Sequence, residues 1–88
     1  MIEREGTIIN SLGMHARPAA QIVRLAATFK SAIEMEHEGQ VVNGKSIMGV
    51  MTLAAECGAV VRIRAEGEDA EAAVDALAAL IARGFGEQ

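Results

Sequence analysis

The spacing of apolar residues changes along the 88-residue sequence, and the changes predict alternating strands and helices. Alternation over residues 2–9 predicts a first strand with Ile2 and Ile8 on one face and Thr7 and Ile9 on the other. Apolar residues then recur every three or four positions over residues 16–28, which predicts an amphipathic helix. The buried stripe of this helix comprises Ala19, Ile22, Val23, Ala26 and Phe29.

The next alternating segments predict a hairpin and a further strand. Residues 31–37 alternate, a turn follows at Glu38-Gly39, and residues 40–43 supply the antiparallel partner. Residues 60–65 alternate again and place two arginines on the polar face of their strand. These arginines are expected to lie opposite acidic residues of the strand at 31–37, so that the expected partners are Arg62 and Arg64 with Glu34 and Glu36.

Two further helices complete the pattern. Ser46 is expected to cap a short helix that begins at Ile47. Gly67-Glu68-Asp69 introduces a last helix, which Gly84 ends. The buried stripe of the last helix comprises Ala73, Val74, Leu77, Leu80 and Ile81.

The order strand, helix, strand, strand, helix, strand, helix predicts one α+β domain over residues 1–88. In this arrangement a four-stranded antiparallel sheet carries three helices on one face, and its other face meets solvent.

Composition narrows the function classes. Twelve acidic and eight basic side chains give a net charge of −4, which argues against nonspecific nucleic-acid binding. No apolar run is long enough for a membrane span, and the charged N-terminus does not resemble a signal peptide. Cys57 is the only cysteine, so neither an intrachain disulfide nor a metal cluster is expected. We therefore expect a cytoplasmic protein, monomeric by default, without a metal or cofactor.

His15 is the residue with the clearest chemical role. Gly13 marks the turn before it, and Pro18 suits the first turn of the helix that follows. The imidazole is thus expected beside unpaired helix N–H groups and the positive end of the helix dipole, where an anion is stabilised. Arg17 can add a bidentate contact to phosphate oxygens. This combination indicates a phosphohistidine site, whereas a histidine without these neighbours is more often a simple surface cap.

The other two candidate features are a second histidine and the short helix. His37 lies at a strand end without an arginine or a helix start nearby, so we interpret it as structural or solvated. The short helix cannot bury all of its apolar side chains. We expect Ile47, Met48 and Met51 to remain exposed as a docking patch.

Two segments resemble one known family. Residues 13–19 (Gly-Met-His-Ala-Arg-Pro-Ala) resemble the active-site segment of HPr, the phosphocarrier of the bacterial phosphoenolpyruvate-dependent sugar phosphotransferase system. Residues 43–51 (Asn-Gly-Lys-Ser-Ile-Met-Gly-Val-Met) resemble the regulatory-serine segment of the same family. The resemblance covers essentially the whole chain and implies the open-faced β-sandwich of that family.

The resemblance also implies a mechanism and partners. Enzyme I, charged by phosphoenolpyruvate, would pass a phosphoryl group to Nδ1 of His15, and the group would then go to a sugar-specific IIA component. Arg17 would neutralise the phosphoryl oxygens, and the backbone amides of Ala16 and Arg17 would help to hold them. The protein would be a stoichiometric carrier and not an enzyme. Ser46 would be the target of an HPr kinase/phosphorylase, and its phosphate would weaken partner docking without unfolding the helix.

Three alternatives remain open at this stage. The nitrogen-related branch of the family uses a similar carrier for regulation instead of sugar uptake. Alternatively, presentation of phosphorylated Ser46 to a transcriptional regulator could be the main task. The least specific alternative is a small ligand-binding domain without phosphotransfer. The sequence pattern assigns no role to residues 85–88.

Overall fold

The computed structural model describes residues 1–87 and confirms the predicted order of strands and helices. A short 3₁₀ turn follows the last helix and was not predicted. The elements are β1 (Ile2–Thr7), α1 (Ala16–Ala26), β2 (Ala32–His37), β3 (Gln40–Asn43), α2 (Ile47–Thr52), β4 (Val60–Glu66), α3 (Ala70–Ala82) and the 3₁₀ turn Gly84–Gly86.

The four strands form one antiparallel sheet in the order β1-β4-β2-β3. The last strand in the sequence therefore lies between the first two, and β1 and β3 form the edges. Inward residues of β1, β2 and β4 alternate with outward ones. Helix α3 packs on β1 and β4, and α2 packs beside β3. This is the predicted α+β architecture, an open-faced β-sandwich with its helices on one face of the sheet.

The core is aliphatic and lies between the sheet and the helices. Its fully buried side chains come from every layer and include Ile22 of α1, Met35 of β2, Ile63 of β4 and Leu77 of α3. Gly6 allows close packing here, since a Cβ at its position would lie 3.0 Å from Cγ2 of Ile81 in α3. The predicted buried stripe of α3 is confirmed in full, whereas Val23 and Phe29 of the α1 stripe are only partly buried.

The outer face of the sheet carries interleaved charges. In the register of β2 and β4, Glu34 pairs with Arg64 and Glu36 pairs with Arg62, as the alternation predicted. Arg64 donates a hydrogen bond to Glu36. Glu3 of β1 approaches Arg64 from the other side, with 3.3 Å between carboxylate and guanidinium. The two arginines of the central strand therefore lie between acidic residues of both neighbours.

The main corrections concern element ends. The first strand ends at Thr7 instead of residue 9, because Ile8 exchanges backbone hydrogen bonds with Gly58 and Ala59 in the loop before β4. The first helix ends at Ala26, two residues early, and the Thr28 hydroxyl binds the Leu25 carbonyl in the turn beyond it. None of the helices in residues 1–87 is long and apolar enough to cross a membrane.

Candidate functional site

The loop before α1 is fixed against the segment that follows α2. Gly13 has φ +70°, and a Cβ at its position would lie 2.6 Å from the carbonyl oxygen of Ala55. The next N–H, that of Met14, donates to the same carbonyl oxygen at 2.8 Å, and the Met14 side chain is buried. Only a residue without a Cβ can make this approach, which sets the position of the backbone that carries His15.

His15 is the N-cap of α1, as the position of Pro18 predicted. Its backbone is extended, with φ −93° and ψ −171°, and its carbonyl accepts the helical hydrogen bond from Ala19 at 3.0 Å. The imidazole does not cap the helix. The imidazole side chain is partly exposed, at 34%.

The helix start leaves two N–H groups available beside His15. The amides of Ala16 and Arg17 occupy the first two helical positions, which have no intrahelical acceptor, and no acceptor for them is found among residues 1–87. Pro18 has no N–H to leave unpaired, so its place in the first turn costs no hydrogen bond. The buried Pro18 ring also packs this turn against the domain.

One nitrogen of the His15 ring is engaged by a residue far away in the sequence. Nε2 lies 2.8 Å from Oε1 of Glu87, in the segment after α3. The same oxygen accepts a hydrogen bond from Nδ2 of Asn10 at 2.9 Å. Nδ2 of Asn10 also donates to the carbonyl of Gly13 at 2.8 Å, so the loop and the carboxylate are joined through one buried amide.

The electrostatics of the site favour an ionised Glu87. The hydrogen bond from His15 is the largest cause that lowers the pKa of the Glu87 carboxyl below its ordinary value. The bond from Asn10 and the electrostatic influence of His15 and Arg17 lower this pKa further, while partial burial acts in the opposite direction. The site therefore holds one carboxylate on the Nε2 side of the imidazole.

Arg17 is exposed at the first turn of α1 and forms no ion pair within residues 1–87. It lies close enough to Glu87 for its charge to lower the pKa of that carboxyl. Within residues 1–87 its guanidinium is not committed to another side chain. Such an arginine can turn toward an anion that arrives at His15.

The second histidine has a different environment. His37 ends β2, its Nδ1 lies 3.4 Å from the carbonyl oxygen of Val60, and its Nε2 lies 3.9 Å from a Glu38 oxygen. These contacts belong to a strand end and a turn. Within residues 1–87 neither contact involves a helix N-terminus, which agrees with the interpretation of His37 as a structural or solvated histidine.

Ser46 caps α2 as expected. Its hydroxyl accepts a hydrogen bond from the N–H of Gly49 at 3.1 Å. Within α2, Val50 is buried and three apolar side chains are exposed. The exposed fractions are 41% for Ile47, 69% for Met48 and 38% for Met51, so the exposure predicted for these three residues is confirmed.

The sequence analysis missed Glu87 and gave Asn10 no specific role. No local signal identifies Glu87, because the residues before it (Gly-Phe-Gly) have no periodic pattern. Asn10 lies in the loop before His15, where its side chain binds both the Gly13 carbonyl and the Glu87 carboxylate. One signal in the sequence could have indicated a role for Glu87, namely the apolar Phe85 between two glycines. A buried phenylalanine ring at this position would hold the residues that follow it in a defined place.

Comparisons with known proteins agree with this geometry. A family model described as "PTS HPr component phosphorylation site" matches residues 2–83. The phosphocarrier protein HPr of Cupriavidus necator is 51% identical over 87 residues, which cover 99% of this chain and 98% of that protein.

Two solved structures from Thermoanaerobacter tengcongensis are also similar. The crystal structure of HPr-C-His is 48% identical, has a TM-score of 0.95 and covers 100% of this chain and 99% of the other. The second, described as an HPr dimer, is also 48% identical with a TM-score of 0.79, and covers 99% of this chain and 100% of the other.

Proposed function

This chain belongs to the HPr family and is a phosphocarrier of the phosphotransferase system, and we propose that His15 is the residue that carries the phosphoryl group. The family relationship makes the protein a stoichiometric carrier and not a catalyst. The observation that supports His15 as the acceptor is its place at the start of α1. There a partly exposed imidazole lies at the helix start whose first two N–H groups have no acceptor within residues 1–87, and Arg17 forms no ion pair within those residues.

The proposed transfer needs little from the protein beyond positioning and charge. Arg17 and the amides of Ala16 and Arg17 would contact the phosphoryl oxygens as these pass from donor to His15. A carrier must also release its cargo. An exposed imidazole with one movable arginine binds a phosphoryl group less firmly than a closed pocket would, which suits onward transfer.

A labelling experiment tests the acceptor. The protein is incubated with enzyme I and labelled phosphoenolpyruvate, and the acid lability and position of the label are determined. His15→Ala should accept no acid-labile phosphate, whereas His37→Ala should be labelled as the unaltered protein is. Acid-labile label on His15→Ala would show that the acceptor lies elsewhere.

We propose partners of the kind that the resemblance implies. Enzyme I would be the donor and IIA components the acceptors, with Ile47, Met48 and Met51 as part of the docking surface. An HPr kinase/phosphorylase would act on Ser46, and a transcriptional regulator would bind the phosphorylated form. The partly exposed Ser46 hydroxyl at the start of α2 supports this regulatory role.

The branch of the system and the setting of the carrier are also part of the proposal. We propose that the carrier serves sugar uptake and that it works in the cytoplasm. We also propose that it is a monomer, although one similar structure is described as a dimer. Transfer assays against sugar-type and nitrogen-type IIA proteins distinguish the two branches, since only the cognate class should be phosphorylated rapidly. Sedimentation of the purified protein over a range of concentrations tests the monomer.

A further inference from the structure

The five methionines of this chain divide into two groups by their exposure to solvent. Met14 and Met35 are 6% and 0% exposed and belong to the core. Met48 and Met51 are 69% and 38% exposed and both lie in α2, while the exposed Met1 precedes β1. An exposed thioether can be oxidised to the sulfoxide, whereas a buried one is shielded by the atoms packed around it. The methionines of α2 are therefore open to an oxidation from which the core methionines are protected.

The two exposed methionines of α2 form one surface with Ile47. Met48 and Met51 are three positions apart and Ile47 and Met51 are four, so their side chains are neighbours on the helix. Together the three side chains make up the docking patch. Apolar surface favours association because it leaves water when a partner binds. A sulfoxide adds a polar oxygen to this surface, and burial of that oxygen without a hydrogen-bond partner opposes docking.

The docking patch is attached to the part of the fold that carries His15. Helix α2 packs against α1, which begins directly after His15. The N–H of Met14 donates at 2.8 Å to the carbonyl of Ala55, in the segment that follows α2. This arrangement allows a protein that reaches His15 to contact α2 as well. A change of polarity in the patch is therefore expected to affect phosphoryl transfer between proteins.

The methionine side chains are not what holds α2 in place. Val50 is fully buried and anchors the helix to the core. The Ser46 hydroxyl caps the helix by accepting from the N–H of Gly49 at 3.1 Å. Neither contact involves a methionine side chain, so oxidation of Met48 and Met51 should leave the fold intact. It would change only the surface that α2 presents to a partner.

We propose that Met48 and Met51 are a reversible oxidation site, at which a peroxide lowers the affinity of the carrier for its protein partners. This inference rests on the proposed function of His15 and the docking patch. A sulfur lone pair forms a bond to one peroxide oxygen, and the O–O bond breaks with its electron pair on the other oxygen. The proton of the transferred oxygen moves to the departing hydroxide, which leaves as water. The sulfur is thus oxidised by two electrons and the peroxide is reduced.

The reaction can be reversed by known enzymes. Methionine sulfoxide reductases, one for each sulfoxide epimer, reduce the sulfoxide to the thioether. Two thiols supply the two electrons and become a disulfide, and the sulfoxide oxygen leaves as water. Oxidation of the patch would then act as a switch and not as permanent damage.

Peroxide treatment of the folded protein tests which methionines react. All samples carry Cys57→Ser, because Cys57 is exposed and its thiol also reacts with peroxide. Catalase stops the reaction, peptide mass mapping measures the sulfoxide at each methionine, and circular dichroism establishes that the protein is folded. Met48 should react first and Met51 more slowly, while the core methionines should remain reduced.

Two phosphoryl donors separate docking from the chemistry at His15. Enzyme I must dock on the carrier, whereas phosphoramidate is a small donor that needs no protein surface. After oxidation of Met48 and Met51, we expect the KM of the carrier in transfer from enzyme I to rise about tenfold. Phosphorylation of His15 by phosphoramidate should stay within about twofold of the untreated rate. Treatment with both sulfoxide reductases and a dithiol should restore the original KM.

Leucine variants identify the methionines responsible. A double variant with Met48→Leu and Met51→Leu keeps the patch apolar without sulfur, so its transfer should be normal before and after peroxide. Met1 is still oxidised in this variant, which tests whether oxidation outside the patch matters. Met35→Leu is the matched control, because it removes a core methionine and should leave the sensitivity to peroxide unchanged.

Three outcomes would overturn the proposal. The first is an unchanged KM for transfer from enzyme I after complete oxidation of Met48 and Met51. The second is an equal rise of KM in the double leucine variant, which would place the sensitive residue elsewhere. The third is an equal loss with phosphoramidate, which would place the effect at His15 instead of the patch. Failure of the proposed function gives a different result, since the untreated protein would then take no phosphoryl group on His15 from either donor.

Discussion

The carboxylate of Asp69 binds Ser31, which lies 38 residues earlier in the chain, and so joins the start of α3 to the start of β2. One oxygen accepts from the N–H of Ser31 at 2.9 Å and from its hydroxyl, and the other accepts from the N–H of Lys30 at 2.8 Å. Although Asp69 is the N-cap of α3, its side chain makes no capping bond to that helix. Its bonds instead satisfy backbone groups of the turn that leads from α1 into the sheet.

This contact predicts a loss of stability in acid. The Ser31 hydroxyl, followed by the Lys30 N–H, lowers the pKa of Asp69 from 3.8 to about 2. A carboxyl whose pKa is lower in the folded state stabilises that state fully above the unfolded value, and the contribution is lost as pH falls through the folded value. The contribution of Asp69 should therefore be complete above about pH 4 and should disappear toward pH 2.

Asp69→Asn tests this prediction by urea unfolding between pH 7 and pH 2. The variant should be less stable at pH 7, and the gap from the unaltered protein should narrow below pH 4 because both proteins then lack the charge. Asp75→Asn is the control, since within residues 1–87 the Asp75 carboxylate pairs with the exposed Arg4 alone, at 3.1 Å. Parallel stability curves for the unaltered protein and Asp69→Asn would contradict the assignment.

Gly13→Ala should be among the most damaging single-methyl changes in the chain. It combines a positive φ with a Cβ that would lie 2.6 Å from a backbone oxygen of Ala55, so the loop that carries His15 must move. We expect a loss of about 3 kcal/mol or more in the free energy of unfolding. The rate of His15 phosphorylation should fall as well.

Gly39→Ala separates the two causes in Gly13→Ala. Gly39 also has a positive φ, at +84°, but a Cβ there would meet no atom within 4 Å. Its replacement should cost only about 1 kcal/mol, from backbone strain alone. Thermal or urea unfolding of both variants measures the difference, and equal losses would mean that the contact with Ala55 is unimportant.

Substitutions at Ser46 should separate capping from charge. Ser46→Ala removes the acceptor of the Gly49 N–H, so it should lower the free energy of unfolding by about 1 kcal/mol and leave phosphoryl transfer nearly unchanged. Ser46→Asp keeps an acceptor and adds a negative charge beside the exposed apolar residues of α2. It should remain folded, yet transfer from enzyme I should slow by about tenfold. A normal transfer rate in Ser46→Asp would argue against charge-based regulation at this position.

The charged outer face of the sheet should contribute little to stability. Arg64 and Glu36 are 22% and 20% exposed, and they are bonded to each other on a face that meets solvent. A double-mutant cycle with Arg64→Met and Glu36→Gln should give a coupling free energy of about 0.2–1 kcal/mol. The coupling should decrease in about 1 M salt because water-exposed charges are screened. A larger, salt-independent coupling would mean that the pair behaves as a buried one.

The sequence alone determined the secondary structure and the first half of the site. Side chains on one face recur at a different spacing in a strand than in a helix. The spacing of apolar residues therefore distinguishes strands from helices before any contact is known. The place of His15 at a helix start follows from local chemistry. Pro18 is accommodated in the first turn of a helix, and Gly13 suits the turn that leads into that helix. The exposure of Ile47, Met48 and Met51 followed from a helix too short to bury every apolar residue that it carries.

Only the tertiary structure brought Glu87 to His15 and Asp69 to Ser31. The first pair lies 72 positions apart and the second 38, and neither has a periodic or local pattern that links its members. Their meeting depends on how the elements pack: the buried Phe85 sets the direction of the chain after α3, and the alignment of α3 on the sheet places Asp69 beside β2. A sequence pattern reports which face of an element is buried, but the distance between two side chains is set by the packing of the elements that carry them.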